Sequence, residues 1–296
     1  MKNKFYSLFL WISCCSLLCS TTFARSYDDI IESKEITVAV YSDFIPFSYQ
    51  EEGQAKGIDV EVAKHIAKQL GVSLRFRWVT ADENVEDDLR NNLWKGHYLK
   101  RSVADLMLRV PYDKEYSELR DDIGERVHEQ VHMFAPYHTE SWKIVFNTKK
   151  IDEVSTMAVF QYHDIGVEVD SIPQFYLISA FNGRMSKRTK QFPSLALAIS
   201  ALDEQKVDAV MGLRSQVSHY QHQLESSTFQ LASNAFPMLG KQQWDIGMAV
   251  KSDYRQLGYA VGDIVEAMIS QGQMKTIFDQ YNAVYQVPNL YSASAE

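Results

Sequence analysis

Cysteine is scarce in this chain, and its placement excludes several kinds of chemistry. All three cysteines, Cys14, Cys15 and Cys19, lie within the first 24 residues. The rest of the chain therefore has no thiol for nucleophilic catalysis, no disulfide, and no cysteine ligand for zinc or an iron–sulfur cluster. A chain of 296 residues is long enough to bury a sizeable hydrophobic core without such cross-links.

Long apolar runs are also missing, except at the N-terminus. Lys2 and Lys4 precede an apolar stretch over 5–18, and small residues occur at the cleavage positions within 22–24. This pattern is typical of a secretory signal peptide, here residues 1–24, rather than of a bilayer-spanning helix of about 20 residues. A bulky leucine precedes the third cysteine, which disfavours a lipid anchor, so we predict soluble export to the periplasm.

Positive charge is in deficit. The chain has 30 lysines and arginines against 38 aspartates and glutamates, for a formal net charge of −8. Removal of the two leader lysines would make this −10. An acidic chain without a basic patch is a poor match for nucleic acid or an anionic membrane surface, so neither is predicted as a partner.

Motifs for catalysis, metals and cofactors do not stand out. The order of residues shows no Ser-His-Asp arrangement, nucleotide loop or metal-binding spacing, so we predict a non-enzymatic protein without metal or cofactor. Two histidine pairs have helical spacing, His128 with His132 and His219 with His222. Because neither has a third ligand at a known spacing, both are interpreted as surface features rather than metal sites.

Buried strands alternate with amphipathic helices along most of the chain. Strands are predicted at 36–40, 74–78 and 104–108, and a second series begins at 165–169 and continues at 207–211, with helical periodicity between successive strands. Strand–helix–strand alternation favours parallel sheets with helices on their faces. The chain is therefore predicted to be an α/β protein with two lobes.

Two stretches depart from this alternation. Residues 112–131 are charged and predict a surface loop with room for one helical turn, and a short strand is predicted at 143–146. The longest amphipathic helix is predicted at 257–269, with Gly272 interrupting it and a loose tail at 288–296.

Five short motifs occur in a fixed order along the chain. They are F-I-P-F-S-Y at 44–49, G-I-D-V-E at 57–61, V-D-A-V at 207–210, W-D-I-G-M-A-V at 244–250 and G-Q-M-K-T-I at 272–277. In this order and spacing they resemble the family-3 extracellular solute-binding proteins, the periplasmic receptors of polar amino acid uptake systems, and the resemblance covers about residues 34–284.

The resemblance implies a periplasmic binding protein type II fold, with two lobes joined by two crossover strands. Lobe 1 would comprise 26–140 plus 240–296, and lobe 2 would comprise 141–239. Such a protein closes on a small polar ligand by hinge bending and delivers it, as a monomer, to a membrane transporter permease.

Three positions that bind the amino acid ligand in this family hold other residues here. The arginine that grips the ligand carboxylate is replaced by Ser117, and the aspartate that binds the ammonium group is replaced by Leu213. A Gly-Ser/Thr pair at a helix start becomes Asp170-Ser171. A buried site without both charged partners desolvates a zwitterion at a high cost in free energy, so the ligand is predicted not to be an ordinary α-amino acid.

Other readings stay open at this stage. Residues 93–99, 104–113 and 134–137 resemble a subgroup encoded alongside periplasmic quinoprotein alcohol dehydrogenases, which implies an unknown ligand or an accessory role toward such a dehydrogenase. In that role the charged segment 112–131 is the candidate docking surface. Some members of the fold are dehydratases, so an enzyme is the third alternative.

Seven residues are candidate ligand-binding residues, because ligands of open α/β sheets bind beyond the carboxyl ends of strands and at helix starts. They are Asp43, Phe44, Phe47, Arg109, Tyr112, Ser171 and Arg214.

Each candidate also has a structural interpretation. The two phenylalanines either stack on a ligand or pack in the core. Arg109 either grips an anionic group or pairs with the acidic loop at 113–125, Arg214 has similar alternatives, and Ser171 suits a helix N-cap. Asp59 and Glu61 begin a helix, and we interpret both as acids stabilised by the helix dipole.

Overall fold

The computed structural model describes residues 24–98, 101–225 and 227–292. The predicted signal peptide lies almost wholly outside these residues. None of the helices in the described part of the chain combines the length and apolar character needed to cross a bilayer.

The described part of the chain contains eleven strands and ten α-helices, besides three short 3₁₀-helices and a π-helical turn at Arg90–Trp94. The strands are β1 (Glu35–Tyr41), β2 (Tyr49–Glu51), β3 (Gln54–Lys56), β4 (Ser73–Val79), β5 (Leu106–Tyr112), β6 (Val131–Asn147), β7 (Ile165–Glu168), β8 (Thr189–Phe192), β9 (Ala209–Leu213), β10 (Phe229–Leu231) and β11 (Gln243–Lys251). The helices are α1 (Tyr27–Ser33), α2 (Ile58–Leu70), α3 (Val85–Leu89), α4 (Lys114–Ser117), α5 (Ile172–Gly183), α6 (Leu195–Asp203), α7 (Arg214–Gln221), α8 (Arg255–Ser270), α9 (Gln273–Gln280) and α10 (Asn289–Ser292).

One large sheet runs through both halves of the molecule in the order β4-β1-β5-β11-β6-β9-β7-β8, with β10 also on β6. In the first half, β1 is parallel to β4 and β5, and β11 is antiparallel to β5. In the second half, β7 is parallel to β8 and β9. The predicted α/β architecture is therefore confirmed.

Strand β6 connects the two halves. Its residues 131–141 pair with β11, whereas residues 142–146 pair with β9. The short strand predicted at 143–146 was too short: one strand of 17 residues runs from Val131 to Asn147. The polar residues at its centre, His138, Thr139 and Glu140, are buried within the strand.

Each half has its own pair of hydrophobic clusters, one on each face of the sheet. In the first half, Val38 and Val40 face one cluster and Ala39 faces the other. In the second half, Ile144 and Val145 divide in the same way. This alternation follows from the two-residue period of a strand. The lobe boundaries given above agree with the change of partner along β6 but stay a prediction.

The turn after β1 is held against the start of α2 by backbone hydrogen bonds. The N–H of Ile58 donates to the carbonyl of Pro46 at 3.0 Å, and the N–H of Asp59 donates to that of Phe47 at 2.8 Å. Two otherwise free N–H groups at the start of α2 are thus satisfied by carbonyl groups of the segment that follows β1. This fixes the position of the aromatic residues at 44–47 over the sheet.

Candidate ligand-binding cleft

A cavity of about 390 Å³ opens beyond the carboxyl ends of β1 and β4, where the two halves of the molecule face each other. This size is within the usual range for small-molecule sites. Its lining residues are Tyr41, Ser42, Phe44, Ala81, Asp82, Glu83, Asn84, Val85, Asp88, Arg109, Glu140, Leu213, Trp244 and Ile246.

A smaller cavity of about 220 Å³ continues the cleft into the second half. Phe44 and Leu213 line both cavities and therefore divide the cleft between them. A direct contact joins the two halves here, since the side-chain amide of Gln216 donates to the carbonyl of Ile45 at 2.7 Å. The cleft is thus a shared space between a turn of the first half and a helix of the second.

Arg109 is the one positively charged side chain that lines the larger cavity. Its Nε donates to Oδ2 of Asp59 at 2.8 Å, and the two side chains are 6% and 2% exposed. Its guanidinium carbon lies 3.2 Å from the ring centroid of Phe47 and 5.5 Å from that of Phe44. The hydroxyl of Tyr137 donates to the other oxygen of Asp59 at 2.8 Å.

These contacts fix the position of the Arg109 guanidinium group. Burial lowers the pKa of Arg109, but Asp59, Tyr137 and Glu140 outweigh burial, and the pKa is raised overall. A cation stacked on aromatic rings and paired with a buried carboxylate is stabilised in one orientation. One of its donors, Nη2, is buried without a hydrogen-bond partner.

Glu140 lies at the point where β6 passes from one half to the other. It is fully buried, and its carboxylate accepts hydrogen bonds from the hydroxyl of Ser215, from the N–H of Ser215 at 3.3 Å and from the N–H of Ser141 at 3.0 Å. Burial raises its pKa, but hydrogen bonds and charges, foremost those of His138, prevail and lower the pKa. We call this part of β6, around residues 138–142, the hinge; it therefore contains a charged group in contact with the cleft.

Three further acidic residues line the larger cavity from the loop after β4 and from α3. Asp88 is buried and accepts hydrogen bonds from the hydroxyl of Tyr41 at 2.8 Å and from the N–H of Asp82 at 2.9 Å. Asp82 and Glu83 are exposed at the cavity edge. Burial raises the pKa of Asp88, and the nearby charges of Asp82 and Asp87 raise it further.

The predicted site residues are only partly brought together. Phe44 lines both cavities, Arg109 lines the larger one and Ser171 the smaller one. Phe47 is fully buried beneath Arg109. Ser171 also caps α5, as predicted, with its hydroxyl oxygen accepting from the N–H of Gln174 at 3.3 Å.

The other three candidates line neither cavity. Asp43 is exposed, and Tyr112 packs beside β11 opposite Asp245. Arg214 points into the hinge, where it donates to the carbonyl of Thr139 at 2.7 Å and to the side chain of Gln286 at 2.6 Å. Arg109 pairs with Asp59 rather than with the acidic loop at 113–125.

Several lining residues were not predicted from the sequence. Trp244 opens the fourth matched motif, and its position there was the one available signal. Tyr41 and Asp88 enter the cavity from the end of a strand and from a short helix, and Glu140 from the interior of a strand. Among the described residues, no group of three or more histidine, aspartate or glutamate side chains is arranged to hold a metal ion.

Residues 36–94, which span β1 to the turn after α3, match the family model of the bacterial extracellular solute-binding proteins, family 3. This match confirms the resemblance over these residues, which contain the first two of the five motifs. The extracellular location of that family agrees with the predicted export. The subgroup associated with quinoprotein dehydrogenases stays a prediction.

One curated relative is an enzyme by name. The cyclohexadienyl dehydratase of Pseudomonas aeruginosa is 37% identical over 78 residues, which make up 25% of this chain and 29% of the dehydratase. The chain thus aligns with less than a third of the length of this relative.

Solved structures with a similar fold cover most of the chain. An ancestral cationic amino acid solute-binding protein has a TM-score of 0.65 at 17% identity, covering 86% of this chain and 98% of that one. The amino acid ABC transporter substrate-binding protein AbpA of Streptococcus pneumoniae, bound to L-arginine, has a TM-score of 0.59 at 20% identity, covering 86% of this chain and 97% of that one. The L-cysteine receptor of Neisseria gonorrhoeae has a TM-score of 0.58 at 20% identity, covering 87% and 93%. At these identities the likeness establishes the architecture, which is the predicted two-lobed type II fold.

Proposed function

We propose that this protein is a solute-binding protein that captures a small polar ligand between its two halves outside the cytoplasm and delivers it to a membrane transporter. The observation that carries the proposal is the cleft itself. It lies at the carboxyl ends of the strands, both halves line it, and it holds buried charged groups from β5 and β6.

The ligand in this proposal is not an ordinary α-amino acid. The only arginine lining the larger cavity is already paired with Asp59, and Leu213 stands where an ammonium-binding aspartate is found in amino acid receptors. A ligand carboxylate would therefore have to compete with Asp59 for the guanidinium group of Arg109.

Binding, rather than turnover, is supported by the state of the buried carboxylate of Glu140. It accepts hydrogen bonds from the hydroxyl and the N–H of Ser215 and from the N–H of Ser141, and its lowered pKa favours a lasting ionised state over proton exchange with a substrate. Because one relative is named a dehydratase, a turnover assay on prephenate-like compounds is the direct test. Product formation above the uncatalysed rate would replace this proposal with an enzymatic one.

A thermal-shift screen of polar metabolites tests the proposal. A ligand at a hundredfold excess over its dissociation constant is expected to stabilise the folded protein by about 2.7 kcal/mol. Phe44→Ala, which opens the wall between the two cavities, is expected to reduce this stabilisation. Phe175→Ala serves as the control, because Phe175 is 59% exposed and lines neither cavity. Absence of any shift across a broad screen would contradict the proposal.

A further inference from the structure

Aromatic rings and carboxylates surround the larger cavity together. The rings belong to Tyr41, Phe44 and Trp244. The carboxylates belong to Asp82, Glu83, Asp88 and Glu140. Aromatic faces attract cations through their quadrupoles, and carboxylates attract them by charge, so both kinds of lining group favour the same type of ligand.

The four carboxylates have no arginine or lysine as an ion-pair partner in the described parts of the chain. Asp82 accepts hydrogen bonds from the amide of Asn91 at 3.0 Å and from a backbone N–H, and Asp88 accepts from the Tyr41 hydroxyl. His138 lies 3.6 Å from Glu140, and burial lowers the pKa of this histidine although Glu140 acts to raise it. The acidic residues that line the cavity outnumber Arg109, the one cationic side chain in the lining.

Arg109, the one cation among the lining residues, does not balance this charge alone. Its Nε is hydrogen-bonded to Asp59, which lies behind it and outside the cavity lining. The pair is buried, so the attraction between its members is weakly screened. Its buried Nη2 still lacks an acceptor, and a ligand oxygen is the group that such a donor requires.

We propose that the larger cavity binds a small organic cation, an amine or a quaternary ammonium compound, that carries an uncharged oxygen acceptor and no carboxylate. This inference rests on the proposed function and narrows its ligand class. The cationic end would face the acidic edge formed by Asp82 and Glu83 among the aromatic rings. The oxygen acceptor would face Nη2 of Arg109.

Compounds with a carboxylate are excluded by the same charges. A ligand carboxylate would add a negative group to a cavity that already holds the carboxylates of Asp82, Glu83 and Glu140, and like charges at close range disfavour binding. A neutral compound of the same shape would keep the packing but lose the cation–π and charge–charge attraction. The cavity is therefore expected to discriminate by charge more than by shape.

Matched compounds test the inference by isothermal titration calorimetry on the exported form of the protein. Choline is compared with its carboxylate counterpart, glycine betaine, and with its neutral isostere, 3,3-dimethylbutan-1-ol. Argininamide is compared with arginine, and ethanolamine with glycine. In at least one set, the cation is expected to bind at least tenfold more tightly than its counterparts.

The outcomes separate this inference from the proposed function. If none of the three cations binds at millimolar concentration, or if a carboxylate or neutral counterpart binds as tightly as its cation, the inference is overturned. In that case a stabilising ligand of another class in the metabolite screen would leave the proposed function standing. Absence of binding by every compound in both experiments would contradict the two together.

A double variant locates the cation. Asp82→Asn with Glu83→Gln is expected to weaken binding of the preferred cation about tenfold and to reduce the dependence of its affinity on salt. Asp87→Asn is the matched control, because Asp87 lies on α3 a few residues after the two acids, pairs with Arg90 and does not line the cavity. Equal losses in the double variant and the control, with folding intact by circular dichroism, would place the cation elsewhere and overturn the inference.

Discussion

Replacement of Asp59 with alanine is expected to lower the free energy of unfolding by about 3–5 kcal/mol, because it leaves the charge of Arg109 buried and unpaired. The two side chains are 6% and 2% exposed, so water cannot replace the lost carboxylate. The hydroxyl of Tyr137 would lose its acceptor in the same variant. Denaturant unfolding followed by circular dichroism measures the change.

Two further variants make this prediction specific. Glu61→Ala removes a carboxylate from the same first turn of α2, but Glu61 pairs with Lys64 at the surface, where such pairs contribute at most about 1 kcal/mol. Combining Asp59→Ala with Arg109→Met removes both charges and is expected to be less destabilising than Asp59→Ala alone. Similar losses for Asp59→Ala and Glu61→Ala would show that the buried pair is not structurally important.

Replacement of Gly57 with alanine is expected to cost about 3 kcal/mol or more, because the backbone has no room for a side chain there. Gly57 precedes α2 with φ of 122°. A Cβ atom would overlap the carbonyl group of Phe47 and lie 2.8 Å from the nitrogen of Ser48. The turn that presents Phe44 to the cleft would have to move away from the helix. Thermal or denaturant unfolding checks the loss.

Gly53 provides the matched control for this variant. It also has a positive φ, 76°, but no atom lies within 4 Å of the position that a Cβ would occupy. Gly53→Ala is therefore expected to cost only the conformational penalty of about 1–2 kcal/mol. If the two alanine variants were equally stable, close packing at Gly57 would not be what fixes the turn.

Local periodicity was sufficient to predict the elements that form the first half of the cleft. The alternation at 74–78 and the helical spacing through 59–70 each correspond to a single element, β4 and α2. The reason is physical: each of these elements has one buried face, and a buried face imposes a period on the sequence. Ser171 was recognisable as an N-cap for an equally local reason.

Contacts between distant residues could not be predicted in this way. The sequence indicates that Asp59 is an acid stabilised by the helix dipole, yet it is the buried ion-pair partner of Arg109, 50 positions away. Arg214 was expected in the cleft, but the hinge offers it the carbonyl of Thr139 and the side chain of Gln286. Which of several carboxylates and carbonyls an arginine reaches is decided by tertiary packing, and no spacing in the sequence encodes it.

The interior of β6 shows the same limit for a whole element. Its central residues 138–140 are polar, which is typical of a loop. In the folded protein they are buried, and Glu140 finds its donors in Ser141 and Ser215. Glu140 is accommodated within the strand because Ser215 of the second half supplies hydroxyl and N–H donors that the local sequence does not contain.

A crystal structure of the protein with the compound that stabilises it most in the thermal-shift screen is the most direct test of capture between the two halves. We expect the ligand in the larger cavity, in contact with Phe44 and Trp244 and with Leu213 closing over it from the second half. A ligand bound outside the cleft, or a cleft filled by protein side chains while the ligand binds at the surface, would contradict it.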